Sequence, residues 1–160
     1  MTGRIDPQTL PGRPCSLAAA LELVGDRWSL LIVREVGFGN TRFSQIARNT
    51  GAPRDRLAAR LRDLVDAGVL FRHAYQESPR REEYRLTQAG RELAPATTAL
   101  LHWGDRWAVT EPPMRLRHHD HPLEPALSCL TCGDTDVPRE DIGREVIAPG
   151  WDLAGPVAVA

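Results

Sequence analysis

The stretch Thr41-Arg42-Phe43-Ser44-Gln45-Ile46-Ala47-Arg48-Asn49-Thr50-Gly51-Ala52-Pro53-Arg54-Asp55-Arg56-Leu57-Ala58-Ala59-Arg60-Leu61-Arg62-Asp63-Leu64 decides the fold. It reads as two short helices joined by a tight turn. Phe43, Ile46 and Ala47 share one face of the first, predicted over 42–49 with Thr41 as its N-cap. Gly51-Ala52-Pro53 makes the connection, and Pro53 suits the first turn of the next helix. That helix, predicted over 53–67, lines up Leu57, Leu61, Leu64 and Val65, and Gly68 ends it. With the leucines inward, Arg54, Asp55, Ala58, Ala59 and Arg62 lie on the opposite side. Small Ala58 and Ala59 allow the backbone to approach a groove closely, and Arg54 and Arg56 occupy the first turn. The pattern is that of a helix-turn-helix whose second helix carries the reading side chains.

The flanks extend this unit in both directions. Upstream, Leu17, Leu21 and Val24 recur at helical spacing from Ser16, and Gly25 stops the run. Asp26 caps the next helix, with Trp28, Leu31, Ile32 and Val36 on its buried side. Gly37-Phe38-Gly39-Asn40 is a turn. Downstream the period changes to two. Val69 to Tyr75 reads as a strand, Ser78-Pro79-Arg80 as a turn and Glu82 to Thr87 as the returning strand of a hairpin. Thr87 then caps a long helix over 88–107, with Leu93, Ala96, Leu100, Trp103 and Trp107 along one face. Pro95 predicts a kink or an interrupted start within it. The expected fold is mainly α with a small β-hairpin wing, a winged helix-turn-helix, plus a short loop-rich C-terminal extension. The expected organisation is a flexible arm over 1–14, rich in Pro and Gly, the winged module over 15–111, and the extension over 112–160 with a frayed tail from Ala154.

Composition narrows the function. The chain has 160 residues, 42% hydrophobic and 26% charged, the balance of a soluble globular protein. No apolar run approaches the roughly 20 residues that span a bilayer, so no membrane partner is expected. No secretory h-region opens the sequence, and three cysteines are too few for a disulfide scaffold, so the cytoplasm is the expected compartment. The net charge of −1 hides an asymmetry. Residues 1–95 carry 15 Arg against 11 acids, whereas residues 96–160 carry 5 Arg against 10 acids. Every basic residue is Arg, and Asp55 is the single acid between Arg42 and Arg62. Such a first half points to an anionic partner. Guanidinium pairs bidentately with guanine, so Arg54, Arg56 and Arg62 suit base reading. Arg42, Arg48 and the wing-tip pair Arg80 and Arg81 suit phosphate or minor-groove contacts. An alternative is a winged-helix protein-interaction module whose Arg face meets an acidic partner. Steep salt dependence with duplex DNA separates the two. No phosphate loop, Gly-x-Ser-x-Gly or His-Glu-x-x-His occurs, so an enzyme is not expected. Glu82 with Glu83, and Asp63 with Asp66, read as solvated charges, and His73 as a surface residue.

From Cys15 to Trp107 the sequence resembles the HxlR-type winged helix-turn-helix transcription regulators of bacteria. The resemblance rests on Cys15-Ser16-Leu17-Ala18, Val24-Gly25-Asp26-Arg27-Trp28-Ser29-Leu30-Leu31-Ile32-Val33-Arg34-Glu35 and Thr41 to Ile46. It continues through Leu57 to Leu64, Ala67-Gly68-Val69-Leu70 and Glu83 to Gly90. It departs at Gly51-Ala52-Pro53-Arg54-Asp55, where such regulators place an Ile-Ser type entry. The resemblance implies a homodimer in which the helices beginning at Ser16 and Gln88 pack across a two-fold axis. Double-stranded DNA is then the partner, read at a pseudo-palindromic site by two recognition helices. It also implies gating by a small-molecule or electrophile effector, or by thiol redox chemistry at Cys15.

Cys15 precedes a helix and neighbours Arg13, and both features favour thiolate. The alternative is an inert small hydrophobe at a packing seam. Cys129-Leu130-Thr131-Cys132-Gly133 is a Cys-x-x-Cys knuckle. With His119 and His121 it would complete a Cys2His2 set for structural zinc, in a degenerate ribbon whose two His are separated by one residue. A redox dithiol and an unliganded relic are the alternatives.

Overall fold

The computed structural model describes residues 4–78 and 80–157, and of Arg80 only the backbone. Two compact units emerge, Met1–Thr97 and Thr98–Ala160. Compactness therefore divides the chain within its last helix, whereas the sequence pattern changes near residue 111.

In the first unit, a single 3-10 turn at Pro7–Thr9 precedes α1 (Ser16–Val24), α2 (Arg27–Gly37), α3 (Phe43–Thr50) and α4 (Arg54–Asp66). The hairpin β1 (Leu70–Glu77) and β2 (Arg80–Leu86) follows, then α5 (Gln88–Arg91). The expected arm is thus partly built. Asp6 caps the 3-10 turn through a 3.0 Å bond from the Gln8 N–H, and Ile5 and Pro7 are half-buried.

Asp26 caps α2 as its sequence position predicts, accepting from the Trp28 N–H at 2.8 Å. Two expected starts move. Thr41 does not cap α3. Arg42 is the N-cap, its N–H bonds Gln45 Oε1 at 3.0 Å, and the Thr41 hydroxyl is taken by the wing. Pro53 lies at the N-cap of α4 instead of inside it. Gly51 (φ 68°) and Gly68 (φ 72°) end α3 and α4 in the left-handed region that favours glycine.

On α4 the core stripe is the one the periodicity predicts. Leu57, Leu61 and Leu64 of α4 have no exposed surface, and Ile32 and Ile46 join them. Burying each such side chain contributes about 1.5–3 kcal/mol. On α2 the buried face is Ser29, Ile32, Val33, Glu35 and Val36, while Leu31 is half-buried. On α1 only Val24 is buried, and Leu17 and Leu21 remain exposed.

The antiparallel hairpin runs from Leu70 opposite Leu86 to Glu77 opposite Arg80, with a bulge between Ala74 and Gln76. Thr87 closes it. Its hydroxyl donates to the Gly68 carbonyl at 2.6 Å and accepts from the Gly90 N–H at 3.1 Å. The expected long helix is interrupted. α5 ends at Arg91, and α6 (Ala94–Trp107) begins with Pro95 in its first turn, where a missing N–H costs nothing.

In the second unit, Leu100, Trp103 and Trp107 of α6 are exposed. The extension is loop-rich, with a short hairpin of β3 (Arg117–His118) and β4 (His121–Pro122), a 3-10 turn at Arg139–Asp141 and a bridge from Trp151 to Pro156. Of the expected frayed tail, residues 158–160 lie outside the described residues. Among the described residues no helix is long and apolar enough to cross a membrane.

Candidate nucleic-acid interface

The leucine stripe of α4 orients the rest of that helix. Because Leu57, Leu61 and Leu64 point inward, Arg54, Asp55, Arg56 and Arg62 are exposed, with Ala58 and Ala59 half-buried between them. Arg60 is different. Its guanidinium meets Asp63 at 3.2 Å and Asp26 at 4.0 Å, tying α4 to the start of α2.

Two of the predicted contact residues rest on aromatic rings of neighbouring elements. The Arg54 guanidinium lies 5.4 Å from the centre of the Phe43 ring on α3. The Arg42 guanidinium lies 4.8 Å from the Tyr75 ring on β1, at the bulge. A cation over a ring face is held by the ring quadrupole, which restricts a long side chain at small cost. Arg48 is exposed at the end of α3 and donates to Asn49 Oδ1 at 3.3 Å. Arg81 is exposed on β2, while the side chain of Arg80 lies outside the described residues. The structure thus brings Arg42, Arg54 and the wing strand β1 into linked elements of one unit.

The wing is fastened to α3 through Glu83, which the sequence reading took for a solvated charge. Glu83 Oε1 accepts from Arg85 at 2.7 and 2.8 Å, and Oε2 accepts from the Thr41 hydroxyl at 3.0 Å. The hydrogen bonds from Arg85 and Thr41, helped by the Arg85 and His73 charges against a smaller cost of desolvation, hold this carboxyl below its ordinary range. The Tyr84 N–H also donates to the Thr41 carbonyl at 2.8 Å. One dipeptide, Thr41-Arg42, therefore contacts both strands of the wing.

A second tie passes through Glu35. Its carboxylate is buried and collects Arg34 at 2.8 Å, Asn40 at 2.8 Å and Asn49 at 2.9 Å. Burial alone pushes the carboxyl up. The hydrogen bonds from Asn49, Arg34 and Asn40, with the Arg34 charge, outweigh it and hold the group below its ordinary value. α2, the turn after it and the end of α3 are thereby joined. Sequence reasoning missed this role, although Glu35 stands at i+3 from Ile32 and so on the core face. Tyr75 and Phe43 as supports for Arg42 and Arg54 were missed too, because nothing local pairs a ring with a guanidinium on another element.

Cys15 is the exposed N-cap of α1. The N–H groups of Ala18 and Leu17 face its sulfur, and with Arg13 they outweigh desolvation and lower the thiol pKa. The Cys2His2 set does not form. Among the described residues no three His, Cys, Asp or Glu side chains converge as metal ligands. Cys132 Sγ donates to Asp134 Oδ2 at 3.2 Å, His121 Nδ1 faces the carbonyl of its neighbour Pro122, and His118 and His119 stack with ring centres 4.0 Å apart. The β3–β4 hairpin turns through the two residues His119-Asp120, and among the described residues His119 and His121 are not gathered with Cys129 and Cys132 into one ligand set.

Comparison with known proteins gives the arrangement its context. The model of the HxlR-like helix-turn-helix family matches residues 23–112. The uncharacterized HTH-type transcriptional regulator Rv3095 of Mycobacterium tuberculosis is 50% identical over 124 residues, 74% of this chain and 78% of that protein. One of Synechocystis is 35% identical over 107 residues, 66% of this chain and 79% of that protein. Among solved structures, PA1607, described as a candidate transcription factor, superposes with a TM-score of 0.72 at 34% identity, over 82% of this chain and 94% of that one. The redox regulator HypR in its oxidized form does so with a TM-score of 0.54 at 29% identity, over 57% of this chain and 96% of that one. The fold agrees with that of these solved structures, and the chain belongs to the HxlR-like helix-turn-helix family, DNA-binding transcriptional regulators and not enzymes.

Proposed function

We propose that the chain acts in the cytoplasm as a homodimer on a pseudo-palindromic operator, with α4 in the major groove and the wing on the flanking backbone. The observation that carries this reading is the exposed face of Arg54, Asp55, Arg56 and Arg62 opposite three fully buried leucines. Arg54, Arg56 and Arg62 read base edges. Arg42, Arg48, Arg80 and Arg81 contact phosphates, whose counterion release makes binding salt-dependent. The exposed Leu17 and Leu21 of α1 and the exposed Leu100, Trp103 and Trp107 of α6 support a partner that covers them, since such surface is uncommon on monomers. Two copies then set two recognition helices about one helical turn apart. Thiol chemistry at Cys15 gates the dimer. The exposed sulfur at the start of α1 supports this, as does likeness to the redox regulator HypR.

The test is fluorescence anisotropy on duplex covering the protein's own upstream region, against scrambled duplex, at two salt concentrations. Selective binding is expected, with Arg54→Ala/Arg62→Ala losing roughly 30-fold or more in specific affinity. An oxidant such as diamide weakens binding of the wild type and leaves Cys15→Ser unaffected. Unchanged specific affinity in the double mutant overturns the assignment of the recognition face. No DNA binding even at low salt favours a protein-interaction module.

A further inference from the structure

The first unit contains an apolar cleft of about 390 Å³ whose lining includes none of Arg42, Arg48, Arg54, Arg56 or Arg62. Its floor is Val24, the last residue of α1, and Val69, the residue leading into β1, both buried. Ala19, Ala20 and Ala89 line its walls with Leu93. Small side chains on two helices leave the hollow open, where Leu or Ile would have closed it. Water inside would face walls that offer few hydrogen bonds, so an apolar body displaces it favourably. The volume lies in the range of small-molecule sites.

The polar groups of the lining specify the rest of the ligand. Arg4 is the one charged residue of its lining, and Ser16 joins it. No carboxylate accompanies them. An apolar pocket with one guanidinium, one hydroxyl and no acid is complementary to an apolar molecule carrying a single negative charge. The segment that supplies Arg4 also supplies Ile5 and Pro7 to the cleft and carries the 3-10 turn packed against α1.

We propose that this cleft is a binding site for an apolar monocarboxylate, of the size of an aryl-acetic acid, with Arg4 pairing the carboxylate and Val24, Val69 and Leu93 enclosing the apolar body. Ala67 also lines the cleft and is the C-cap of α4, so the occupant touches the end of the recognition helix. As an effector site it rests on the regulator reading, whereas binding itself does not.

The experiment is isothermal titration calorimetry of the full chain with phenylacetate, with phenylacetamide as the neutral control. A Kd on the order of 0.1 mM is expected for a ligand this small. Phenylacetamide and the Arg4→Ala variant each bind about tenfold more weakly. Ala20→Phe, which fills the hollow, abolishes the heat while circular dichroism stays native. No heat with wild type at millimolar phenylacetate overturns the proposal, as a partner subunit's side chain seated in the cleft would produce. Equal affinity for the acid and the amide, or binding that survives both substitutions, overturns it as well. Failure of the anisotropy test with DNA leaves these heats unmoved, so the two readings fail separately.

Discussion

The Glu35 carboxylate gathers donors from three places in the chain, the adjoining Arg34, the turn at Asn40 and the end of α3 at Asn49. A buried anion held this way is stabilising only while it is charged. Its folded pKa lies below its unfolded one of about 4.3, so the stabilisation is complete above that value and is lost as pH falls through the folded pKa. Glu35→Gln keeps the shape but turns an amide N–H₂ toward donors that need an acceptor. The expected cost is about 1–3 kcal/mol at pH 7, read from urea midpoints. That difference shrinks as pH falls below the unfolded value and through the lowered folded pKa, because the wild type loses its charge there and the variant has none to lose. A difference independent of pH would sink this account. Glu35 was legible only in part. Helical spacing puts it on the core face, but its partners at Asn40 and Asn49 come from elements whose approach no local pattern encodes.

At the scale of the element, α4 was readable almost completely. The leucine stripe, the Gly68 stop and the exposed Arg face follow from a period of 3.6 and from glycine's freedom at positive φ. The helix starts were less so. Thr41 has the chemistry of an N-cap, yet its hydroxyl meets Glu83 forty-two residues later, a contact decided by the wing's position. The junction of the wing with α5 makes its own prediction. A Cβ on Gly90 would sit 2.3 Å from the Val69 carbonyl oxygen, a backbone atom held by the Thr87 N–H and hydroxyl. Gly90→Ala therefore cannot be accommodated by a side-chain shift. It should lower stability by about 1–3 kcal/mol through overpacking, despite alanine's better helix propensity. A melting temperature equal to or above that of the wild type would show that α5 moves away freely.

At the scale of the whole molecule, Trp103 and Trp107 stand exposed on α6. Under the dimer reading, Trp103→Glu places a charge in the covered face and shifts the sedimentation coefficient from dimer to monomer, while far-ultraviolet circular dichroism stays native. Specific DNA affinity then falls at least tenfold, because one recognition helix loses the contribution of the second. A dimer that persists through this change would locate the interface elsewhere.

The residues alone were enough for the order of elements from α1 through the wing, the buried leucines of α4, the Arg face and the family, because each is written in local periodicity, turn chemistry and charge. Tertiary structure decided what local pattern cannot carry. It put Tyr75 under Arg42 and Phe43 under Arg54, gave Glu83 and Glu35 their partners, hollowed the cleft beside α1 and kept His119 and His121 from joining Cys129 and Cys132. The physical reason is common to all of these. Each depends on the distance between side chains far apart along the chain, and that distance is set by how the helices and the hairpin pack.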